Sequence, residues 1–95
     1  MIEELVRLLN EIVKGPELRH GLIADFKTVV ANHEPTICNE AVDGVLRDLA
    51  YDLAYYEPDP VLRREDSSFY GDDRARTEIR EALQKLAQRG VNVGK

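Results

Sequence analysis

The sequence predicts an all-α domain, an antiparallel up-and-down four-helix bundle, and three observations lead there. Four segments repeat their apolar residues at three- and four-residue steps, the period of a helix with one buried face. No stretch alternates as a half-buried strand would. The aliphatic content is high while aromatics make up only 6% with no Trp, a mix that suits packed helices. At 95 residues the chain is one domain, residues 1–95, with enough surface to bury a single core.

The first helix carries Ile2, Leu5, Leu8, Leu9 and Ile12 on one stripe, and Gly15-Pro16 ends it. The second runs from about Glu17 to Ala31, with Leu18, Leu22, Ile23, Phe26, Val29 and Val30 inward. Asn32-His33-Glu34-Pro35 is a turn cluster, because the residue before a proline is biased away from helix. The third spans roughly Ile37 to Tyr56 on a narrow seam of Val42, Val45, Leu46, Leu49, Leu53 and Tyr56. The fourth starts at Asp72-Asp73, read as N-cap residues, and buries Ala75, Ile79, Ala82, Leu83 and Leu86. Glu81 and Lys85 form an i,i+4 pair there, Gly90 is the stop, and residues 91–95 are left as a frayed tail. Short turns favour antiparallel neighbours.

The third connection is long, fifteen residues from Glu57 to Gly71, and a loop of that length is functional or partly structured. Asp59 before Pro60 reads as an N-cap with proline at the first helical position, so a single helical turn to Arg64 is expected. Val61, Leu62, Phe69 and Tyr70 are expected to pin this loop to the core.

Catalytic and metal chemistry find little support. His20 and His33 lack a carboxylate at a relay spacing, and His33 with Cys38 has no zinc-ligand spacing. No nucleophile elbow, Gly-rich phosphate loop or catalytic-cysteine signature is present. No catalytic residue, cofactor or metal is therefore assigned. With one cysteine there is no internal disulfide; there is also no basic leader and no long apolar run, so the cytoplasm is the expected compartment.

Charge is the informative property. The net charge is −5, which argues against direct binding of nucleic acid or an anionic membrane and favours a basic protein partner. The stretch from Tyr51 to Asp73 holds seven acids against Arg63 and Arg64, so it carries −5 by itself and the remainder is balanced. Asp48, Asp52 and Tyr55 line up on the third helix beside its buried seam. All four tyrosines (Tyr51, Tyr55, Tyr56 and Tyr70) flank the acidic segment. Acids steer a basic partner and tyrosines offer low-entropy contact area. The candidate partner-binding residues are Asp48, Asp52, Tyr55, Glu57, Asp59, Glu65, Asp66, Asp72 and Asp73.

The run Ala54-Tyr55-Tyr56-Glu57-Pro58-Asp59-Pro60-Val61-Leu62-Arg63, then Tyr70-Gly71-Asp72-Asp73 and the Arg76-x-x-Ile79-Arg80-x-x-Leu83 helix, resembles the colicin D immunity family of bacterial self-protection proteins. The likeness covers about the last forty residues; the first fifty agree in helix count and length. The resemblance implies an antiparallel four-helix bundle that binds the catalytic domain of a tRNA-cleaving toxin, its acids standing in the toxin's basic substrate cleft for tRNA phosphates. Glu57 and Asp59 match the family's partner-contacting acids, and Asp72-Asp73 the acid pair before the last helix. Pro60 after the motif and a longer loop before Asp72 are departures from the pattern. The expected function is an immunity-type inhibitor of a basic nuclease toxin domain, acting as a monomer or weak homodimer. The alternative is a small helical adaptor or regulatory protein with an unrelated partner, with the third helix as a dimer face.

Overall fold

The computed structural model describes residues 2–32 and 39–94. The order is α1 (Ile2–Val13), α2 (His20–Asn32), α3 (Glu40–Asp52), a 3₁₀ turn (Leu53–Tyr55), α4 (Pro60–Arg63) and α5 (Asp72–Gln88). The chain is all-helical among the described residues, apart from one isolated backbone bridge between Tyr56 and Tyr70. The four long helices pack in a closed cycle: α1 touches α2 and α5, and α3 touches the same two. No described helix is long and apolar enough to cross a membrane.

The core is the sum of the apolar stripes. Leu5, Leu9, Ile12, Phe26, Leu46, Leu53, Ile79 and Leu86 are fully buried, and no polar or charged residue is buried among those described. On α5 the inward set Ala75, Ile79, Ala82, Leu83 and Leu86 is buried as its spacing predicts. Removing each buried Leu, Ile, Val or Phe of this core from water is worth about 1.5–3 kcal/mol relative to exposure.

Helix ends depart from the expected bounds. On α2 the regular turn begins at His20, three residues later than read, although Leu18 is buried ahead of it. There Arg19 N–H donates to the Ile12 carbonyl at 3.1 Å, which holds that stretch against α1 and out of the helix. On α3 the Asn39 side chain accepts from Val42 N–H at 3.0 Å, so the helix starts at Glu40. It tightens after Asp52, and Tyr56 turns extended to meet Tyr70. Ile37 and the turn residues His33 to Pro35 lie outside the described residues, as does Cys38. On α5 the N-cap is Gly71, not an aspartate: its carbonyl accepts the first helical bond from Ala75 at 3.1 Å, which places Asp72 and Asp73 in the first turn. Both still meet the positive end of the helix dipole.

Two arginines satisfy carbonyls at the ends of neighbouring helices. Arg76 of α5 donates to Val13 O at 2.8 Å and Pro16 O at 3.3 Å. Arg47 of α3 donates to Val30 O at 3.1 Å while paired with Asp43 at 2.8 Å. Val13 and Val30 stand in the last turns of α1 and α2, where carbonyls run out of regular helical donors, so each arginine supplies a cap across the bundle. After α5, Gly90 takes φ +87°, with Gly90 N–H to Ala87 O and Val91 N–H to Leu86 O at 3.0 Å each. This is a Schellman ending, and it needs glycine for the left-handed residue. Residues 91–94 then return along α1: Val91 and Val93 pack half-buried on the core, and Asn10 Nδ2 donates to Val93 O at 2.9 Å. The reversal at Gly90 directs these residues back over the bundle, where the sequence reading leaves a frayed tail.

Candidate functional site

The acidic loop is built on its own hydrogen bonds. Glu57 N–H donates to Tyr70 O at 2.8 Å and Tyr70 N–H to Tyr55 O at 3.0 Å, closing the loop at its base. Arg63 holds the inside, its Nε donating to Glu57 O at 2.8 Å and a terminal nitrogen to Pro58 O at 3.2 Å. Its guanidinium lies so close to Gly71 that a Cβ there would sit 2.6 Å from Nη1, so this approach requires glycine or a displaced arginine. Asp59 caps α4 by accepting from Val61 N–H at 2.8 Å, with Pro60 opening the helix as expected. Asp66 Oδ1 accepts from Ser68 N–H at 2.8 Å in a side-chain-closed turn.

Val61 and Leu62 do not pin this loop: they are 63% and 41% exposed. A four-residue helix held by Arg63 and Asp59 has no need of them, and Tyr70 supplies the anchor. Tyr70 is buried, its hydroxyl donating to Asp52 O at 2.8 Å and to Asp52 Oδ2 at 3.3 Å. The Tyr56 hydroxyl donates to Asp72 Oδ1 at 2.6 Å. Burial first, then these carboxylates, push both phenols well above the usual tyrosine range. The Tyr56 and Tyr70 rings tilt together at 6.4 Å, and Arg74 sits 5.0 Å over Tyr70. Tyr51 and Tyr55 form an edge-to-face pair at 6.1 Å. Tyr55 is raised too, chiefly by its hydrogen bond with Tyr51.

The expected acids therefore separate into groups. Glu57, Asp59, Asp66 and Asp72 each accept a hydrogen bond inside the loop frame, so they hold it in shape as well as charging its surface. Asp73 is exposed beside Asp72, and the two border a shallow hollow of about 420 Å³ with Arg63 and Arg74. Glu65 is exposed on the loop and Tyr55 half-buried at its base. Asp48 and Asp52 instead look into a groove between α3 and α5 of about 630 Å³. Asp52 is the bridge between the two regions, touching Tyr70 from the loop.

In that groove sequence reasoning missed Glu78 and Glu81. They follow one another at the three-residue step of α5, but only the packing of α5 on α3 sets them opposite Asp48 and Asp52. The Asp52 carboxyl is raised above its ordinary range, first by burial and then by its hydrogen bond and repulsion with Glu78. Arg74 offsets part of this, pairing with Glu78 at 2.9 Å; this is the i,i+4 ion pair that α5 forms among the described residues, and the Glu81–Lys85 pair expected from the sequence does not close. His20 is exposed at the start of α2, and His33 lies outside the described residues. Among the described residues no group of three or more His, Cys, Asp and Glu could hold a metal ion.

The chain matches no protein-family model, no curated protein and no solved structure.

Proposed function

We propose that this chain is an immunity-type inhibitor, an antiparallel up-and-down helical bundle that binds the basic substrate cleft of a nuclease toxin domain through its acidic surface. The observation that carries the reading is the pre-formed loop from Glu57 to Asp73. Its acids are fixed by Arg63, by the Asp59 cap and by the Tyr56–Asp72 and Tyr70–Asp52 bonds. A charged loop ordered before binding has little conformational entropy left to lose on association, and its charge accelerates encounter with a basic cleft. The exposed Val61 and Leu62 on α4 and the exposed Tyr51 supply contact area that slows dissociation. The resemblance of residues 54–83 to the colicin D immunity family supports the same partner class.

The test is binding to the nuclease domain of a toxin encoded beside this gene, at several salt concentrations. Because Glu57 and Asp59 also accept structural hydrogen bonds, charge is best removed by Glu57→Gln with Asp59→Asn, which keep an acceptor oxygen at each place. The expected result is an association rate reduced roughly tenfold at low salt, converging with the native protein at high salt. An unchanged association rate at low salt refutes the acidic-loop mechanism.

A further inference from the structure

The α3/α5 groove differs in kind from the loop. Its rim carries Glu40, Asp48, Asp52, Glu78 and Glu81, with Lys85 and Arg89 as the cations lining it among the described residues. Its wall includes Ala41, Gly44 and Ala82, small residues that leave the space between the helices open. Gly44 is the telling position. It stands inside α3, where glycine weakens a helix relative to alanine, and a Cβ built there meets nothing within 4 Å. Neither backbone conformation nor packing among the described residues calls for glycine, and the space it leaves adjoins the groove. Tyr51, 72% exposed on the same rim, is a large side chain that the core does not use. Beside the groove, outside its lining, Arg74 already pairs with the rim residue Glu78 at 2.9 Å and lies 5.0 Å over the Tyr70 ring.

From this we infer that the α3/α5 groove is a second docking surface, and that its occupant is an arginine- or lysine-bearing segment of a protein partner. The five acids decide the partner's charge, and the existing Arg74 site shows the geometry in which a guanidinium is accepted between a carboxylate and an aromatic ring. A second copy of this acidic chain would bring like charges together. The inference extends the proposed function by giving the basic partner a contact away from the loop; it requires only that the partner be basic.

The probe is a synthetic amphipathic peptide with arginines along one face, titrated into ¹⁵N-labelled protein, with the same peptide carrying glutamines as control. Three variants accompany it: Gly44→Phe, which adds bulk in the groove without changing charge; Gly44→Ala, which changes only helix propensity; and the Glu57→Gln/Asp59→Asn pair. Circular dichroism and the thermal midpoint establish that each is folded. The expected result is shifts centred on the amides of Gly44, Asp48, Asp52, Glu78 and Glu81, absent with the glutamine peptide. Affinity should fall roughly tenfold or more in Gly44→Phe and persist in Gly44→Ala and in the loop pair. Shifts confined to residues 57–73, no shifts at all, or an affinity indifferent to Gly44→Phe would each overturn the groove assignment. The loop reading stands or falls separately, on the toxin-domain association rate: groove binding of the peptide without toxin binding keeps this inference and discards the immunity role.

Discussion

The Tyr70 hydroxyl donates to the backbone carbonyl of Asp52 at 2.8 Å, tying the end of the acidic loop to the end of α3. That carbonyl sits at the N-cap of the 3₁₀ turn, where the helix narrows. Removing the hydroxyl leaves it without this partner in a half-buried place. Tyr70→Phe is therefore expected to lower unfolding stability by about 1–2 kcal/mol. In a domain of this size that is a fall of about 4–8 °C in thermal midpoint per kcal/mol, readable by circular dichroism.

Arg76 reaches Val13 O and Pro16 O with two nitrogens, so it closes the end of α1 from α5. Arg76→Met keeps the aliphatic stem and removes both donors. Urea denaturation should show a loss of about 1.5–3 kcal/mol, the range for hydrogen bonds from a charged group. Arg76→Lys should recover only a part, because one ammonium cannot reproduce the planar fork. Full recovery by lysine would mean that charge alone matters there.

Tyr56 and Tyr70 resist ionisation in the folded state, through burial and the neighbouring Asp72 and Asp52. The unfolded chain releases these protons near the ordinary value of 10.0, while the native state retains them. Stability is thus full below that pH and is lost as pH rises beyond it. Ultraviolet titration should show part of the tyrosine absorbance change delayed until unfolding, and Tyr56→Phe should shrink that late phase. A single ordinary transition for all four tyrosines would contradict the buried, bonded phenols.

The raised Asp52 carboxyl has the same sign in an acidic window. Native protein holds this proton more tightly than the unfolded chain does, so its contribution falls as pH climbs above 3.8. Glu78 raises it and Arg74 and Tyr70 lower it, after burial as the leading cause. Asp52→Asn keeps an acceptor for Tyr70 and removes the charge. Its stability relative to native should be greatest near neutrality and shrink as the pH falls toward 3.8, measured as urea midpoints across pH.

Gly44→Ala should stabilise the protein by about 0.5–1 kcal/mol, since the added methyl finds open space and the helix gains propensity. Chemical denaturation decides it. A loss would mean that the Cβ meets something across the groove.

What could be read in advance was local. The inward residues of α5 follow from a 3.6-residue period, and the Asp59–Pro60 start of α4 and the Gly90 ending follow from capping chemistry within a few residues. The cap at Gly71 was misread because Asp72 is the better cap by residue type, yet its carboxylate is engaged by Tyr56 sixteen positions away. Val61 and Leu62 were read as anchors because they are apolar, but the loop is held by polar bonds from Arg63 that no periodicity reveals.

By itself the sequence determined the helical faces, the stops between them and the concentration of the whole net charge of −5 between Tyr51 and Asp73. Each of these depends on neighbours within a turn or two, or on composition alone. Tertiary structure decided which faces meet. It set Glu78 against Asp52, sent Arg76 across sixty-three positions to Val13, and opened the groove beside Gly44. Such pairings arise from how four apolar stripes pack into one core, and that packing chooses the polar neighbours at its edges without any mark in the local pattern.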